Sequence, residues 1–445
     1  MKVAIIGAGL SGITAALELQ NSARVTKIVV FEKKHHPGGL MNSASEGSYI
    51  WDFGSYTFDQ NSSLVKAHPG LYTKVPVYRN VWVNNKLQKF PFDLSSLLKN
   101  RGVLFYLRFI TEFAYSSISR VFETGNINAS KWLINRITKL LLSEMKLENY
   151  IVKVQGGNTL IELSNTIVKE KLSYLFYSKN MLVRFLRVLK QHVLSSKSEA
   201  EFKTEYYPLN SGVSGIISHL ISECNSRNIE IKYDVNIRSI DIQTNNDIQI
   251  VYSEDNEVKI NNFDHIVSSI NLNGFVDLVQ PRLPETIQNS IKHLNYTNSI
   301  VVMIGLKDVC LSNKVEIIYS FEEKQKWRRL TAVRRAGRPT SVIVEFTFNN
   351  NEAYDEQVIS SEIIKDIVED IKLFNTEDIK IKKTILIKYT YPIYKKGYEK
   401  CIQEIVQFID NRKITIIGRQ GLFKYFDSDD VIASTKQRMK SFLKQ

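Results

Sequence analysis

Two short apolar runs flank a helical pattern near the start of the chain. Residues Val3 to Ile6 are continuously apolar, and Ile28 to Phe31 form a second run of the same kind. Between them, apolar residues recur at the spacing of one helix face, at Ile13, Ala16, Leu17 and Leu19. Short, continuously apolar runs are typical of buried strands in a parallel sheet. This opening stretch therefore predicts a strand, a helix and a second strand.

The next part of the chain predicts a hairpin and then a helical region. Val81, Val83 and Leu87 follow an alternating pattern that is interrupted by Asn84-Asn85, a dipeptide that favours a tight turn between two strands. Residues 96–200 carry apolar side chains at helical spacing and predict a mostly helical segment.

Basic residues are interleaved with the apolar ones in this segment, most clearly over residues 97–110 and 182–190. Basic amphipathic helices can lie on an anionic membrane surface. They can equally pack on a core and turn a basic face toward solvent. The pattern leaves both interpretations open, and peripheral membrane contact is one prediction.

Strand patterns dominate the second half of the chain. Residues 206–241 predict a loop, a helix and a strand over Ile229 to Val235. Apolar stretches at 300–306, 340–348 and 384–394 predict the sheet of a second domain. From Ile414 onward the pattern is an apolar strand, a glycine turn and a closing helix.

Three glycines separate the first predicted strand from the first predicted helix. Gly7 permits a sharp turn, Gly9 allows the backbone to approach a pyrophosphate, and Gly12 allows close packing of helix and strand. The second strand ends in Glu32, whose carboxylate can accept hydrogen bonds from a ribose. Because strand, glycine turn, helix and acid occur in the required order, we predict a dinucleotide site with the phosphates at the helix N-terminus.

Composition limits the class of protein. A length of 445 residues, 43% hydrophobic and 24% charged, is that of a globular protein with more than one core. The three cysteines are scattered without metal-ligand spacing, so we expect a reducing compartment and no metal site. The first strand follows Met1 directly and no apolar run approaches a membrane span, which predicts a cytoplasmic protein.

The net charge of +13 favours anionic partners. These could be a cofactor pyrophosphate, a nucleotide-linked or phosphorylated small molecule, or an anionic membrane. A diffuse basic surface would account for the charge equally well. No zinc finger, helix-turn-helix or stacked-aromatic RNA motif occurs, so we predict no nucleic-acid partner.

Three further stretches carry a family resemblance. Pro37-Gly38-Gly39 and the segment WDFGSYTF (51–58) follow Glu32, and GRQGLFKYFDSDDVIAS (418–434) lies near the C-terminus. This combination resembles the FAD-dependent amine oxidase superfamily, which includes protoporphyrinogen oxidase-like enzymes and UDP-galactopyranose mutases. The resemblance implies FAD as cofactor and extends over the whole chain, although 96–200 matches only loosely.

The same resemblance implies an α/β fold of two interleaved domains. A Rossmann-type FAD-binding domain, with a parallel sheet and ββα-type layers, would comprise residues 1–65, 205–275 and 385–445. An α+β substrate domain with a mixed or antiparallel sheet and a helical insertion would comprise 66–204 and 276–384. A homodimer is a further expectation.

The motifs and the resemblance together identify candidate site residues. The candidate cofactor-binding residues are Gly7, Gly9, Leu10, Ser11, Gly12, Glu32, Lys33, Gly38, Gly39, Val235, Gly418, Arg419, Asp429 and Val431. The candidate substrate contacts are aromatic residues that offer stacking faces and hydroxyls, namely Tyr56, Tyr389, Tyr391, Tyr394 and Tyr425. No catalytic side chain is assigned, because in such enzymes the flavin carries the chemistry.

The sequence is compatible with three functions. The first is oxidation of a carbohydrate or nucleotide sugar in glycan biosynthesis, with FAD as hydride acceptor. The second is redox-neutral pyranose–furanose exchange of a nucleotide sugar, as in the mutases. In the mutases an arginine binds the substrate pyrophosphate, and this chain has Thr297 at the corresponding place. The difference favours the oxidoreductase. The exception would be a positive charge supplied from another element, by Arg328, Arg329, Arg334 or Arg335. The third is a flavin-binding protein without catalysis.

Overall fold

The computed structural model describes residues 1–90, 102–121, 127–170, 203–209, 211–242, 248–310, 313–410 and 412–444. The strands are β1 Lys2–Ile6, β2 Lys27–Phe31, β3 Ser43–Glu46, β4 Tyr49–Asp52, β5 Tyr72–Val83, β6 Lys86–Lys89, β7 Lys203–Pro208, β8 Glu230–Lys232, β9 Asn236–Ile242, β10 Ile248–Glu254, β11 Glu257–Phe263, β12 His265–Ser268, β13 Val279–Gln280, β14 Asn295–Cys310, β15 Lys314–Ser320, β16 Arg329–Arg334, β17 Arg338–Asn349, β18 Ile379–Ile393 and β19 Ile414–Ile416. The helices are α1 Leu10–Gln20, α2 Ser63–Ala67, α3 Val103–Val121, α4 Ala129–Ile137, α5 Lys139–Met145, α6 Leu147–Val154, α7 Val213–Ser226, α8 Leu272–Leu278, α9 Glu285–Lys292, α10 Glu356–Lys365, α11 Tyr398–Asp410, α12 Gly418–Gly421 and α13 Ser428–Lys444.

A five-stranded parallel sheet carries the predicted dinucleotide motif. Its strand order is β19-β12-β1-β2-β8, and each neighbouring pair is parallel. Val3 and Ile5 of β1 pack in one buried cluster with residues of α1, α7 and α13, whereas Ala4 and Ile6 pack in a second cluster on the opposite face. Burial on both faces explains why β1 and β2 are continuously apolar.

The strand predicted over Ile229 to Val235 is shorter in the structure. β8 ends at Lys232, and Asp234 adopts a left-handed conformation with φ of 54°. The backbone N–H of Val235 then donates to the carbonyl oxygen of Glu32 (3.0 Å). The alternating pattern therefore overestimated the strand, because a left-handed residue interrupts extended pairing.

An eight-stranded mixed sheet forms the second layer of the molecule. Its order is β18-β14-β17-β16-β15-β5-β6. The eighth strand, β7, pairs with residues 72–77 of β5. The pairs are antiparallel except β15 with β5. The predicted hairpin joins β5 to β6, and Asn84 and Asn85 both have positive φ (53° and 54°), as a tight hairpin turn requires. A smaller four-stranded sheet, β11-β10-β9-β13, and the β3–β4 ribbon complete the strands.

The described part of the predicted helical region contains helices α3 to α6, whereas residues 155–165 form turns and isolated bridges. Helix α3 exposes much of its apolar face to solvent, including Leu104, Leu107, Tyr115 and Ile118. The basic amphipathic pattern over 182–190 lies outside the described residues. Within the described part of the chain, no helix combines the length and apolarity that crossing a bilayer demands.

Candidate functional site

Among the three glycines of the turn between β1 and α1, Gly9 has the most open space at its Cβ position. A Cβ atom on Gly12 would overlap the carbonyl oxygen of Gly7, and one on Gly7 would lie 2.6 Å from the Ser269 hydroxyl. A Cβ on Gly9, in contrast, would approach protein atoms no closer than 3.9 Å. Gly9 is the N-cap of α1, and no side chain caps the helix there. The first turn of α1, which begins with Leu10 and Ser11, is therefore available to an anion.

Glu32 lies beside this turn and keeps capacity for a ligand. Its carboxylate accepts hydrogen bonds from the backbone N–H of Ala8 (2.8 Å) and of Lys34 (2.9 Å). An ionised carboxylate has about four acceptor sites, so the two bonds leave room for ribose hydroxyls. Val235 is held against Glu32 by its backbone, whereas the side chain of Lys33 is exposed.

The double-glycine loop runs alongside the same turn. The backbone N–H of Gly38 donates to the carbonyl of Ala8 (2.8 Å), and Gly38 forms an isolated parallel bridge with Gly9. Gly38 and Gly39 both have positive φ (107° and 58°), which favours glycine at each position. The two glycine segments thus form adjacent walls of one groove.

The C-terminal glycine turn closes the groove from the other side. Gly418 has φ of 78°, and a Cβ atom there would overlap the hydroxyl of Ser11 in the first turn of α1. Val431 of α13 packs in the same buried cluster as Leu10. Asp429 turns toward α2, where one carboxylate oxygen accepts hydrogen bonds from the backbone N–H of Ser63 (2.7 Å) and from two serine hydroxyls.

These residues fit FAD. The uncapped N-terminus of α1 suits a pyrophosphate, and the carboxylate of Glu32 suits a ribose. The open space at Gly9 is where a dinucleotide would come closest to the backbone.

A cavity of about 310 Å³ lies next to the double-glycine loop and the C-terminal glycine turn. Leu40, next to Gly39, and Arg419, next to Gly418, contribute to its wall. Residues 53–58, which follow β4, form another wall, and residues 425–428 form part of the rim. Residues of β14, β16, β17 and β18 form the floor, so the eight-stranded sheet lies directly beneath the cavity.

Two arginines and a glutamate occupy this floor. The buried carboxylate of Glu345 pairs with the guanidinium of Arg328 through one oxygen and with Nε of Arg329 through the other (2.6 Å). Burial alone would lower the pKa of each arginine, but the adjacent Glu345 carboxylate raises it, and the pKa of both lies above the usual value. Both guanidiniums therefore stay charged, with N–H groups beyond those that bind Glu345.

The cavity also contains carboxylates, but at its outer edge. Glu170, Asp427 and Asp430 line it and are exposed to solvent, whereas Arg328 is almost fully buried. Arg419 is held in place because its Nε donates to the carbonyl of Phe426 (2.7 Å). The inner part of the cavity is thus cationic and the rim acidic.

Three of the five candidate tyrosines meet at the cavity. Tyr56, Tyr391 and Tyr425 line it. The rings of Tyr391 and Tyr425 stack with centroids 4.4 Å apart and an interplanar angle of 12°. The hydroxyl of Tyr56 donates to the carbonyl of Leu40 (2.6 Å), and burial raises the pKa of Tyr56 far above its usual value. Tyr56 is therefore a neutral phenol at physiological pH.

Tyr389 and Tyr394 lie outside the cavity lining. The ring of Tyr389 packs edge-on against Tyr296, with centroids 5.6 Å apart. Tyr394 is fully buried, and its hydroxyl accepts a hydrogen bond from the backbone N–H of Tyr425 (2.7 Å). Tyr394 thus holds the segment that carries Tyr425.

Thr297 and two of the four alternative arginines also lie away from the cavity lining. Thr297 is fully buried and bonds to the Thr390 hydroxyl (2.9 Å), so it joins β14 to β18 beneath the floor. Arg334 pairs with Glu316, and Arg335 donates to the hydroxyl of Tyr207 (3.0 Å).

Glu345, Ser299 and Thr390 also line the cavity, although no sequence motif pointed to them. Glu345 did carry a signal, because a lone carboxylate within the apolar stretch TSVIVEFTF requires a buried cationic partner. Ser299 and Thr390 carried none, since short polar residues are common in strands.

Comparisons with known proteins give the family. A family model described as flavin containing amine oxidoreductase matches residues 10–398. A search of curated protein sequences finds no match.

Solved structures agree in fold. A reduced UDP-galactopyranose mutase superposes with a TM-score of 0.80 at 17% identity, covering 100% of this chain and 94% of the mutase. Cyclohexylamine oxidase from Brevibacterium oxydans IH-35A gives a TM-score of 0.66 at 14% identity, covering 100% and 98% of the two chains. An oxidoreductase from Methanosarcina mazei gives 0.62 at 14% identity, covering 99% and 100%. At these identities the likeness establishes a shared fold. The predicted resemblance is confirmed by the family model: the chain belongs to the flavin-containing amine oxidoreductases, and its cofactor is FAD.

Proposed function

We propose that this protein is an oxidoreductase that uses FAD to oxidise a carbohydrate carrying a phosphate or nucleotide group, within glycan biosynthesis. The observation that carries the proposal is the cavity beside the glycine turns, whose floor holds Arg328 and Arg329 on the buried carboxylate of Glu345. FAD, when bound, supplies a hydride acceptor. The residues of this chain bind and orient the substrate beside it.

The arginine pair supports an anionic substrate group. Glu345 fixes both guanidiniums, so their remaining N–H groups are oriented before a ligand arrives. A planar guanidinium can bind a phosphate through two parallel hydrogen bonds, which a lysine cannot do. The pair compensates for the absence of an arginine at Thr297.

The tyrosines support a sugar or base as the rest of the substrate. Tyr391 and Tyr425 present stacked rings, and Arg419 lies with Cζ 4.8 Å from the Tyr391 centroid. Aromatic faces pack against the apolar face of a sugar ring or against a base, while hydroxyls such as that of Tyr56 bind polar groups.

A binding experiment with UDP tests the substrate class. Arg329→Met should weaken UDP binding about 10- to 100-fold, as expected from the loss of about 1.5–3 kcal/mol of charge-assisted hydrogen bonding. Arg334→Met is the matched control, because Arg334 lies on the same strand but pairs with Glu316 outside the cavity lining. FAD content measured for each variant separates substrate binding from cofactor loss.

Two outcomes would contradict the proposed substrate class. One is a wild-type protein, loaded with FAD, that does not bind UDP or UDP-sugars. The other is equal weakening by Arg329→Met and Arg334→Met, because the cavity would then have no special part in binding.

A second candidate function is pyranose–furanose exchange of a nucleotide sugar. The observation in its favour is the same arginine pair, since β16 offers the cationic partner that Thr297 cannot. The two candidates share a substrate class and differ in electron balance: exchange requires reduced flavin and consumes no reductant, whereas oxidation reduces the flavin.

A further inference from the structure

A histidine pair and a glutamate meet on the surface of α7, outside the cavity lining. His219 and Glu223 are four residues apart on α7 and so share a helix face. His68 comes from the short segment between α2 and β5. The potential ligand atoms of the three side chains all lie within 4.8 Å of one another.

The contacts of the two imidazole rings do not otherwise explain why they lie so close together. Their ring centroids are 4.7 Å apart at an interplanar angle of 68°. Within the described part of the chain, neither ring makes a hydrogen bond, and Nε2 of His219 lies 3.9 Å from the Glu223 carboxylate, too far for one. Two protonated imidazoles in contact would repel each other, whereas two neutral ones can share a cation.

The backbone fixes the three side chains at this point. The N–H of His68 donates to the carbonyl of Leu64 (3.0 Å), and its own carbonyl accepts from the N–H of Leu71 (3.0 Å). On α7, Ile217 and Leu220 are buried in the core and set the orientation of the helix. Because the backbone is held in place, closing the ligand separations to those of a metal site would require rotation of the side chains.

The donor types of the three side chains suit a zinc ion. Neutral imidazole nitrogens bind zinc, and the Glu223 carboxylate adds a negatively charged oxygen beside them.

We propose that His68, His219 and Glu223 bind one zinc ion, with water as the fourth ligand. Two imidazole nitrogens and a carboxylate oxygen form an established zinc donor set, with ligand distances of about 2.0–2.2 Å. The ion would tie the α2–β5 segment to α7. This site could not be predicted from sequence motifs, because His68 and His219 are separated by about 150 positions and lack the short spacing of zinc motifs.

Cobalt titration of tag-free, metal-depleted protein loaded with FAD tests the proposal. We expect one equivalent of Co²⁺ to give the visible absorption of a tetrahedral site, and one equivalent of Zn²⁺ to abolish it. Zn²⁺ should also raise the melting temperature, because it binds the folded state.

Variants determine whether these residues are the ligands. His219→Ala is the main variant, because this side chain is exposed and its loss should not disturb folding. It and His68→Ala should lower metal affinity about 100-fold or more, on the scale of losing one of three ligands. His293→Ala removes an exposed histidine elsewhere and should bind metal as the wild type does. Absence of the cobalt signal in wild-type protein, or an equal signal in His219→Ala, would overturn the proposal.

Discussion

Gly9 and Gly12 are three positions apart in one motif, yet their structural roles differ. A side chain at Gly12 would collide with the Gly7 carbonyl, so this glycine is required for folding. A side chain at Gly9 would enter space that the protein leaves open. The sequence could assign both roles, because the motif is local and its geometry is fixed by the strand and helix on either side.

The first prediction separates these roles. Gly9→Val should yield a folded protein that retains almost no FAD, because the added methyl groups occupy the space at the N-terminus of α1. Gly12→Ala should reduce the yield of folded protein. Gly70→Ala is the control, since a Cβ atom there would meet no atom within 4 Å. Circular dichroism and the flavin absorbance of purified protein measure the two effects. Wild-type FAD content in Gly9→Val would show that the cofactor does not pass Gly9.

Arg328, Arg329 and Glu345 could be predicted only in part. The arginines are visible in the sequence as a source of charge, but so are Arg334 and Arg335. The choice between them depends on sheet register: Arg329 of β16 lies opposite Glu345 of β17, whereas Val333 lies opposite Ser341. Register across strands is set by long-range pairing, which local patterns do not encode.

At the scale of elements, β12 pairs with β1 on one side and with β19 on the other, and it carries a buried histidine. His265 lies on β12 with its Nε2 2.9 Å from the Thr415 hydroxyl of β19 and its ring 4.0 Å from that of Phe442. Burial, together with Lys413, lowers the pKa of His265 to about 4. Apolar patterning predicted β19 as a strand, but it could not reveal that the histidine on β12 is buried.

The second prediction is an acid-dependent loss of stability. The unfolded chain binds a proton at His265 near pH 6.5, whereas the folded protein does so only near pH 4. The unfolded state therefore holds more protons between these values, and the free energy of unfolding falls as pH decreases from 6.5 to 4. A shift of this size corresponds to about 3 kcal/mol.

Urea unfolding between pH 4 and pH 7 measures this contribution. His265→Gln can still bond to Thr415 but does not titrate, so its stability should decline less steeply than that of the wild type over this range. His293→Gln, at an exposed position, should follow the wild type. Identical slopes for His265→Gln and the wild type would exclude His265 as the cause.

At the scale of the whole molecule, the parallel sheet is assembled from distant parts of the chain. β1 lies between β2 and β12, and β12 in turn pairs with β19, about 400 residues from β1 in sequence. The family resemblance implied that both ends of the chain enter one domain, because matching motifs occur near each end, and both ends do contribute strands to this sheet. The bounds proposed for the discontinuous FAD-binding domain, the homodimer, the membrane contact and the cytoplasmic location stay predictions.

The third prediction concerns these domain bounds. A fragment of residues 1–150 should not fold, because β1 would lose β12 and β2 would lose β8, which leaves both edges of the remaining sheet open and its faces uncovered. Proton NMR dispersion and protease resistance of the purified fragment measure this. A well-dispersed, protease-resistant fragment would show that residues 1–150 form a domain by themselves.

Anaerobic titration of the flavin with UDP-sugars tests the central claim most directly. UDP-hexoses that bind the oxidised, FAD-loaded protein are added without oxygen while the flavin absorbance is followed. We expect at least one of them to bleach the flavin with a stoichiometry of about one per site, because oxidation of the sugar delivers two electrons to FAD. The proposed oxidoreductase activity would be contradicted if every sugar that binds left the flavin oxidised while the dithionite-reduced protein interconverted pyranose and furanose forms.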